Sequence, residues 1–486
     1  MIWRKGLAKL ARPILNAIAR RVFVLNLDVT PSLPDTFELM LMNAARSVAA
    51  DGDFRLILPV DSERPKFADK EIKIGFFGNI ANNAYIFTKC LRRLGYDAEL
   101  VIEDGSTDAD LMSRPFWEDV EVACASLEES MAFEQQWHPP TYVRRVVYDT
   151  TLQLKFQGRL SAIPEVQEMY QQSFGLSLPV DRALLLAQNM GHWPYLLAMK
   201  RYDVIQLSSA AMAMGIFCPK PYVVYPTGSD LFIAPFEETF FGLLMRAGYR
   251  HASHCLLIMH TLPEYLKRLQ VVAPQSTALV MVDTEVYAPG GGEQVRAQWQ
   301  QAIGGQKFLL NVCRQTWLWK GNDRLIHAFS RFVKEYGDWR LILMEWGKDI
   351  EQSKVLIEAL DIKDKVLWEP MSSKPRLRRL QQAADVVSDQ FVMAAYGTSV
   401  LESMAAGKPV LKSPLNPQND LLCISDLPPF VTANEIDEIY QALIKLDDEE
   451  FKQKKGVESH DWVRRNHGYL AITERYIDAY KSALCF

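Results

Sequence analysis

The sequence lacks any run of about 18 apolar residues, which is the length that a membrane-spanning helix requires. Cysteine is scarce: seven residues are scattered over 486 positions without a CxxC pair, so neither a disulfide framework nor a zinc site is predicted. An excess of positive charge is also missing, because 54 basic residues face 59 acidic ones, for a net charge of −5. This balance argues against a nucleic-acid binder, and the scattered cysteines indicate a reducing, cytoplasmic compartment.

What is present is an ordinary globular composition, 49% hydrophobic and 23% charged, in a chain long enough for two or three domains. Short apolar strands alternate with helical spacing in two stretches, which the linker Pro289–Gly292 separates. The alternation predicts an α/β protein of two doubly wound, Rossmann-like domains, at 26–290 and 291–486, facing across a cleft. We expect a strand at Ala278–Val282 and one long helix over Asp461–Leu484.

The N-terminal segment, residues 1–25, combines six basic residues with no acidic one, and its apolar residues recur on one helical face. They are not contiguous, so the segment is not a secretory signal. Two interpretations stay open. The helix lies on an anionic membrane through residues 1–22, or it packs against the body of the protein.

In the first domain, the turn Gly78–Asn83 lies between a predicted strand and a helix, where phosphate-binding turns occur. A single glycine is too few for the dinucleotide fingerprint. Gly78 and Asn79 are nevertheless candidates for binding a polar ligand at the helix N-terminus, and the alternative is a turn that only caps the helix. His251 and His254 lack a third ligand nearby, so no metal site is predicted.

In the second domain, Arg314 follows a predicted strand, and Lys320 precedes a helix six residues later. An arginine fork and a lysine point charge at these positions suit a diphosphate. Further on, Gly397 opens a predicted helix with free N–H groups, and Glu402 lies one turn deeper among apolar residues. A carboxylate there needs a partner, and a ribose diol offers two donors. The basic run at 374–379 is interpreted as a solvated helix face.

The stretch Ala395–Val410 resembles the donor-binding signature of family 4 glycosyltransferases of the GT-B fold, in which a glycine-opened helix carries a glutamate and ends in Met-Ala-x-Gly-x-Pro-Val. Four further segments are similar to motifs of that family in the same order: Thr227–Leu231, Val282–Pro289, Arg314 with Lys320-Gly321, and Ala384–Val387. The resemblance covers most of the C-terminal half.

The resemblance implies a role for each matching residue. Arg314 and Lys320 would bind the diphosphate and stabilise the leaving group, and Glu402 would bind the donor ribose. Amides around Gly397 and Thr398 would contact phosphate, and those of Tyr396 and Gly397 the sugar. The family transfers with retention of anomeric configuration and usually without a metal or other cofactor, and the last helix would return to the first domain.

Two positions depart from the family pattern. Ala394 stands eight residues before Glu402, where the family has a first glutamate that contacts the sugar, and we expect the adjacent Asp389 or Gln390 to take over part of that contact. Thr227 stands where many members have histidine, which leaves Asp230 as a candidate on the acceptor side. The alternative for each aspartate is a structural role at a strand end or in a turn.

The sequence therefore predicts a retaining glycosyltransferase that moves a hexosyl group from a UDP- or GDP-sugar to a hydroxyl of a glycan, a lipid-linked acceptor or a cell-envelope polysaccharide. The enzyme is expected in the cytoplasm, with peripheral contact to the inner face of the membrane as the further possibility. A sugar-nucleotide epimerase or a phosphorylase of the same fold is one alternative. A non-catalytic partner subunit, favoured by Ala394 and Thr227, is the other.

Overall fold

The computed structural model describes residues 35–51, 70–104, 111–124, 126–258, 262–415 and 427–485. The predicted basic N-terminal segment lies outside the described residues, so its two interpretations stay as they were. In the parts of the chain that are described, no helix is long and apolar enough to cross a membrane.

Strands and helices alternate along most of the chain. The strands, in chain order, are β1 (Lys73–Phe77), β2 (Asp97–Asp104), β3 (Ala123–Cys124), β4 (Val143–Val147), β5 (Val204–Ser208), β6 (Tyr222–Tyr225), β7 (His254–Leu257), β8 (Gln275–Thr277), β9 (Lys307–Asn311), β10 (Trp339–Glu345), β11 (Val366–Ser372), β12 (Val386–Ser388), β13 (Val410–Lys412) and β14 (Val431–Thr432).

The helices carry most of the remaining residues. They are α1 (Asp35–Ala50), α2 (Asn83–Arg93), α3 (Phe116–Asp119), α4 (Leu127–Glu134), α5 (Thr150–Phe156), α6 (Ile163–Phe174), α7 (Val180–Ala187), α8 (Trp193–Met199), α9 (Ser229–Phe232), α10 (Phe240–Arg250), α11 (Leu262–Arg268), α12 (Glu293–Ile303), α13 (Trp317–Lys320), α14 (Asn322–Glu335), α15 (Ile350–Ala359), α16 (Lys374–Ala383), α17 (Thr398–Ala405), α18 (Ile436–Asp447), α19 (Glu449–Asn466) and α20 (Tyr469–Cys485).

The chain divides into two compact units, each built on one sheet. The first unit comprises residues up to Arg114, Pro139–Ala278 and the chain from Thr473 onward. Its sheet has the order β4-β2-β1-β5-β6-β7-β8, and all its strand pairs are parallel. The order reverses between β1 and β5, and in open α/β sheets the crevice at such a reversal is where ligands bind.

The second unit comprises Pro115–His138 and Leu279–Ile472, and its sheet has the order β14-β13-β12-β9-β10-β11-β3. Strand order reverses between β12 and β9. Successive residues of β9 pack on opposite faces: Leu309 joins α14 and α18 in one apolar cluster, whereas Phe308 and Leu310 join α12 and α16 in another. Both faces are thus covered by helices, which is the doubly wound arrangement that the sequence predicts.

Two segments depart from the sequence-based division, and residues 279–290 are one of them, because they group with the second unit. Residues 115–138, which we call the edge segment, group with the second unit although they precede its main body by about 140 residues. Within it, β3 pairs antiparallel with β11. The Val122 N–H donates to Ser373 Oγ at 2.8 Å, and the Ser373 N–H donates to the Val122 carbonyl at 2.9 Å. The pairing satisfies the backbone groups that β11 would otherwise expose at the sheet edge.

Two expected elements differ in the structure. The predicted strand at Ala278–Val282 is only an isolated bridge from Val282 to Gly468, because the edge strand β8 already ends at Thr277. The predicted helix over Asp461–Leu484 is two helices, α19 and α20. It breaks at His467-Gly468, where both N–H groups bond to the Val463 carbonyl. Residues of α20 from Thr473 onward group with the first unit.

The buried imidazole of His251 gives the first unit a specific acid sensitivity. Burial, and then the positive charge of Arg182, lower its pKa to about 4, and its Nε2–H donates to the Asp51 carbonyl at 2.8 Å. The unfolded chain binds this proton near pH 6.5, so stability falls as pH drops from about 6.5 to 4. We expect His251→Gln to remove a loss of about 2 to 3 kcal/mol over that range.

The measurement is the urea midpoint of both proteins at pH 7.5 and pH 4.5. His138→Gln serves as the control, because His138 is exposed and its variant should keep the wild-type pH dependence. Equal pH dependence in wild type and His251→Gln would contradict the assignment.

Candidate functional site

The carboxyl ends of β9 and β12 form the centre of the candidate site in the second unit. Asn311 and Ser388, the last residues of these strands, lie opposite each other in the parallel pair. The Asn311 side-chain amide donates to the Asp389 carbonyl at 3.1 Å. Arg314 and Asp389 therefore follow neighbouring strands at the point where strand order reverses, which is where a ligand is expected.

Asp389 is buried and its carboxylate accepts a hydrogen bond from the thiol of Cys313 at 2.7 Å. Burial, and then the charge of Asp389, raise the pKa of Cys313 well above its usual value, so the thiol stays protonated and acts as a donor. The sequence-based analysis missed Cys313, although its place directly before Arg314 at a strand end was a usable signal.

The two predicted diphosphate cations, Arg314 and Lys320, both lie at this edge. Arg314 is exposed, whereas Lys320 is half-buried at the end of α13 and donates to Oε1 of Gln390. The Gln390 amide in turn donates to the Ala395 carbonyl. Among the described residues, neither cation has a carboxylate partner. Both therefore keep their full charge for an anionic ligand.

The loop between the two cations is fixed from a third strand. Gln315 bridges to Gly347, which follows β10, and the Trp317 N–H donates to the Asp349 carboxylate at 2.8 Å. The indole N–H of Trp317 donates to Ser353 Oγ at 2.9 Å. Sequence analysis did not identify Asp349 or Gly347, since their role is to position a loop that is distant in sequence.

Helix α17 begins beside this loop, as predicted. Gly397 precedes it with φ −102°, and a Cβ placed there would meet no atom within 4 Å. Gly397 has no side chain to cap the first turn, so N–H groups at the start of α17 remain available to a ligand. The site thus offers free amides beside two cations, a combination that suits phosphate groups.

Tyr396, immediately before this helix start, is held from the side. Its hydroxyl lies 3.3 Å from Nε2 of His467, and its ring packs against Phe430 with centroids 5.8 Å apart. Nδ1 of His467 lies 2.8 Å from the Val280 carbonyl and must donate to it, so Nε2 accepts from the Tyr396 hydroxyl. The side chain is occupied, and the backbone of Tyr396 is the part left for a ligand.

Glu402 is in a different environment from the one expected. It is 1% exposed, and its two carboxylate oxygens lie 2.5 and 2.7 Å from the ammonium of Lys374. The interpretation of the run at 374–379 as a solvated face is therefore wrong for Lys374, whose side chain is only 14% exposed. Arg376 likewise pairs with buried Glu369, and Arg379 pairs with Glu121 of the edge segment.

In the first unit, the turn after β1 is strongly constrained. Gly78 has φ +85°, and a Cβ there would lie 2.2 Å from the Ser208 carbonyl oxygen, so only glycine fits. The Asn79 amide donates to Asn82 at 2.6 Å and to the Ser113 carbonyl at 2.7 Å, and its oxygen accepts from the Tyr85 N–H. The Asn79 side chain thus holds the turn at the β1–β5 reversal.

Asp230 closes the turn after β6. Its buried carboxylate accepts from the N–H groups of Thr227, at 3.1 Å, and Gly228, at 2.6 Å, and from the Thr227 hydroxyl. Burial raises its pKa, and these hydrogen bonds oppose that shift. The Thr227 hydroxyl thus bonds to Asp230 within the same turn.

A comparison with known protein families identifies the part of the chain that contains Arg314, Lys320 and α17. Residues 295–456, about a third of the chain and all within the second unit, match the family model described as glycosyl transferases group 1. The two units together have the GT-B fold, as the sequence resemblance predicts. None of the curated proteins matches the sequence.

Solved structures similar to the whole chain are distant in sequence. HepE from Anabaena in complex with UDP and glucose has a TM-score of 0.56 at 15% identity, covering 85% of this chain and 100% of that one. Sucrose-phosphate synthase from Thermosynechococcus elongatus has a TM-score of 0.54 at 13% identity, with the same coverage. A glycosyltransferase from Rickettsia africae has a TM-score of 0.54 at 12% identity, covering 85% and 99%. At these identities the likeness shows the fold alone.

Two glycines of the site give a direct test of the geometry. Gly347 has φ +119°, and a Cβ there would lie 2.3 Å from the Gln315 carbonyl oxygen, whereas Gly397 has extended backbone and open space. We expect Gly347→Ala to cost at least about 2 kcal/mol of unfolding free energy. Gly397→Ala should cost less than about 1 kcal/mol.

Urea unfolding monitored by tryptophan fluorescence measures both variants. The prediction fails if the two substitutions shift the midpoint equally.

Proposed function

We propose that the protein is a glycosyltransferase that transfers a sugar from a nucleoside-diphosphate sugar to a hydroxyl acceptor. The observation that supports this most is the pair Arg314 and Lys320, two cations without a carboxylate partner among the described residues, beside the uncapped start of α17. The family match over residues 295–456 spans all of these elements. HepE, which has a similar fold, was solved with UDP-glucose, and this supports a nucleotide-sugar donor.

In this proposal, Arg314 and Lys320 bind the diphosphate and stabilise the negative charge that grows on it as the bond to the sugar breaks. The arginine fork takes two oxygens, and the lysine, held by Gln390, supplies a second charge. The amides at Gly397 and Thr398 add hydrogen bonds at the helix N-terminus. The cations need no proton transfer for this role.

The sugar would lie against the loop between Asp389 and Gly397. Asp389 and Gln390 stand beside the position of Ala394, and the backbone amides of Tyr396 and Gly397 border the same loop. For a retaining transfer, the acceptor oxygen bonds to the anomeric carbon on the face from which the diphosphate leaves. The leaving diphosphate takes the acceptor proton, so no protein base is required at Thr227 or Asp230.

The remaining features of the proposal follow from the resemblance. The donor is a UDP- or GDP-sugar whose ribose contacts Glu402, and no metal or other cofactor takes part. The acceptor is a glycan, a lipid-linked sugar or a cell-envelope polysaccharide. The protein acts in the cytoplasm, with residues 1–22 as the candidate contact to an anionic membrane. In the first unit, Asp230 is the candidate on the acceptor side, and Gly78 and Asn79 are candidates for binding the donor.

A non-catalytic partner subunit is the second candidate. Ala394 favours it, since the family's sugar-binding glutamate is missing there, and so does the occupied carboxylate of Glu402. Such a protein would bind a nucleotide-sugar or its nucleotide without turnover.

We expect Arg314→Ala and Lys320→Ala each to lower kcat/KM for nucleotide-sugar turnover by about 100-fold, because each removes charge from the leaving group. The assay measures nucleotide release from UDP- and GDP-sugars. Arg331→Ala is the control, since Arg331 forms an exposed ion pair with Asp437 and should stay within about twofold of wild type. If wild type neither binds nor turns over any of these donors, the proposed function fails. Binding without turnover supports the partner subunit.

Gln390 offers a finer test of the phosphate site. Gln390→Glu places a carboxylate beside Lys320 and neutralises it, so we expect affinity for the nucleoside diphosphate to fall about tenfold. Calorimetric titration measures the change. Gln300→Glu adds the same charge at an exposed position and should have little effect. Equal affinities for Gln390→Glu and wild type would contradict the contact between Lys320 and the diphosphate.

A further inference from the structure

Lys374 and Glu402 form a buried ion pair in the second unit. The proposed mechanism gives Lys374 no role. Glu402 lies on α17 and Lys374 is the first residue of α16. Burial, and then the charge of Glu402, raise the pKa of the nearby Tyr287 hydroxyl well above its usual value. The glutamate that would read the ribose is thus already bound by the Lys374 side chain.

The hydrogen-bonding capacity that remains on this pair is mixed. A carboxylate has about four lone-pair positions, and the Lys374 ammonium faces two of them. The ammonium has three N–H donors, and two of them face Glu402. Within the described ranges no hydrogen bond of the third is observed. The pair therefore keeps acceptor and donor capacity side by side, which matches hydroxyl groups that both donate and accept.

Lys374 also balances the charge of Glu402. Burial of a lone carboxylate is costly, and the Lys374 ammonium, 2.5 and 2.7 Å from its two oxygens, offsets that cost. Burial also disfavours the charged form of Lys374, but the charges of Glu402 and Glu118 outweigh that effect and raise its pKa. The Lys374 ammonium and the Glu402 carboxylate thus stabilise each other.

We propose that Lys374 is a further residue of the donor site, which holds Glu402 as an ionised acceptor and reads the ribose diol together with it. The inference rests on the proposed nucleotide-sugar function. Lys374 is a positioning residue for Glu402, and its own free N–H contacts a ribose hydroxyl. This assignment gives the site a preference for ribonucleotides over nucleotides that lack the diol.

The other charged and titratable groups around Glu402 do not supply this role. Glu118 of the edge segment and Arg378 of α16 act on Lys374 and Tyr287 through their charges. From α19, His460 bonds to the Ala405 carbonyl, and from β13, Lys412 bonds to the Ala394 carbonyl. Lys374 is the cation in direct contact with Glu402 among the described residues.

The experiment compares affinities for UDP and GDP with those for their 2′,3′-dideoxy forms, by calorimetry. We expect Lys374→Met to weaken ribonucleotide binding about tenfold, because Glu402 loses the cation that holds it and the ribose loses an N–H contact. The dideoxynucleotides should not show this loss. Lys374→Arg should restore binding to near the wild-type level.

Two further variants keep the test decisive. Glu402→Gln leaves Lys374 in place, removes the carboxylate acceptor, and should give a similar loss for the ribonucleotides alone. Lys363→Met, at an exposed ion pair with Glu358, is the matched control and should bind as wild type does. Thermal unfolding of each variant shows which of them are folded.

The inference is overturned if Lys374→Met weakens binding of ribonucleotides and dideoxynucleotides equally, because the lysine would then serve folding alone. Tighter ribonucleotide binding by Lys374→Met also overturns it, because the lysine would then block Glu402. In both cases, if Arg314→Ala still lowers kcat/KM for nucleotide-sugar turnover, the proposed function is still supported. If wild type binds none of the four nucleotides, the proposed function and this inference fail together.

Discussion

The parallel pairing of β9 with β12 is the constraint on which the candidate site depends. It places Arg314 and Asp389, 75 positions apart in the sequence, on adjacent strand ends, and it opens a crevice because neighbouring connections leave in opposite directions. The pairing also brings the 391–397 loop to Lys320, whose carbonyl accepts from the Phe391 N–H at 2.8 Å. The start of α17 is thereby fixed beside the cations before any ligand binds.

Much of this arrangement could be predicted from the sequence, because it rests on local signals. The apolar runs predicted most strands of both sheets, although the run at Ala278–Val282 is not a strand, and Gly397 correctly marked the start of α17. What could not be predicted depends on contacts between distant residues. The edge segment joins the second unit through pairing with β11, and nothing in its composition marks that choice. The break at His467-Gly468 depends on Val282, nearly 190 positions earlier.

Glu402 shows the same limit at the level of a single side chain. The sequence pattern identified a carboxylate among apolar residues that needs a partner, and it offered a ribose as that partner. The structure supplies Lys374, which helical periodicity had assigned to a solvated face. Periodicity describes a helix face on average, whereas the first residue of α16 is buried because the edge segment and α17 pack against that end of the helix.

The cations of α16 and the two cations at the strand ends differ in what balances their charge. On α16, Lys374, Arg376 and Arg379 form ion pairs with Glu402, Glu369 and Glu121. Their charges are therefore largely neutralised within the fold. Arg314 and Lys320 lie at the strand ends, where the Asp389 carboxylate accepts from the Cys313 thiol and Gln390 is neutral. Positive charge at this edge of the sheet is therefore not balanced by a carboxylate partner among the described residues, and an anion with two charges is a ligand that such a place stabilises.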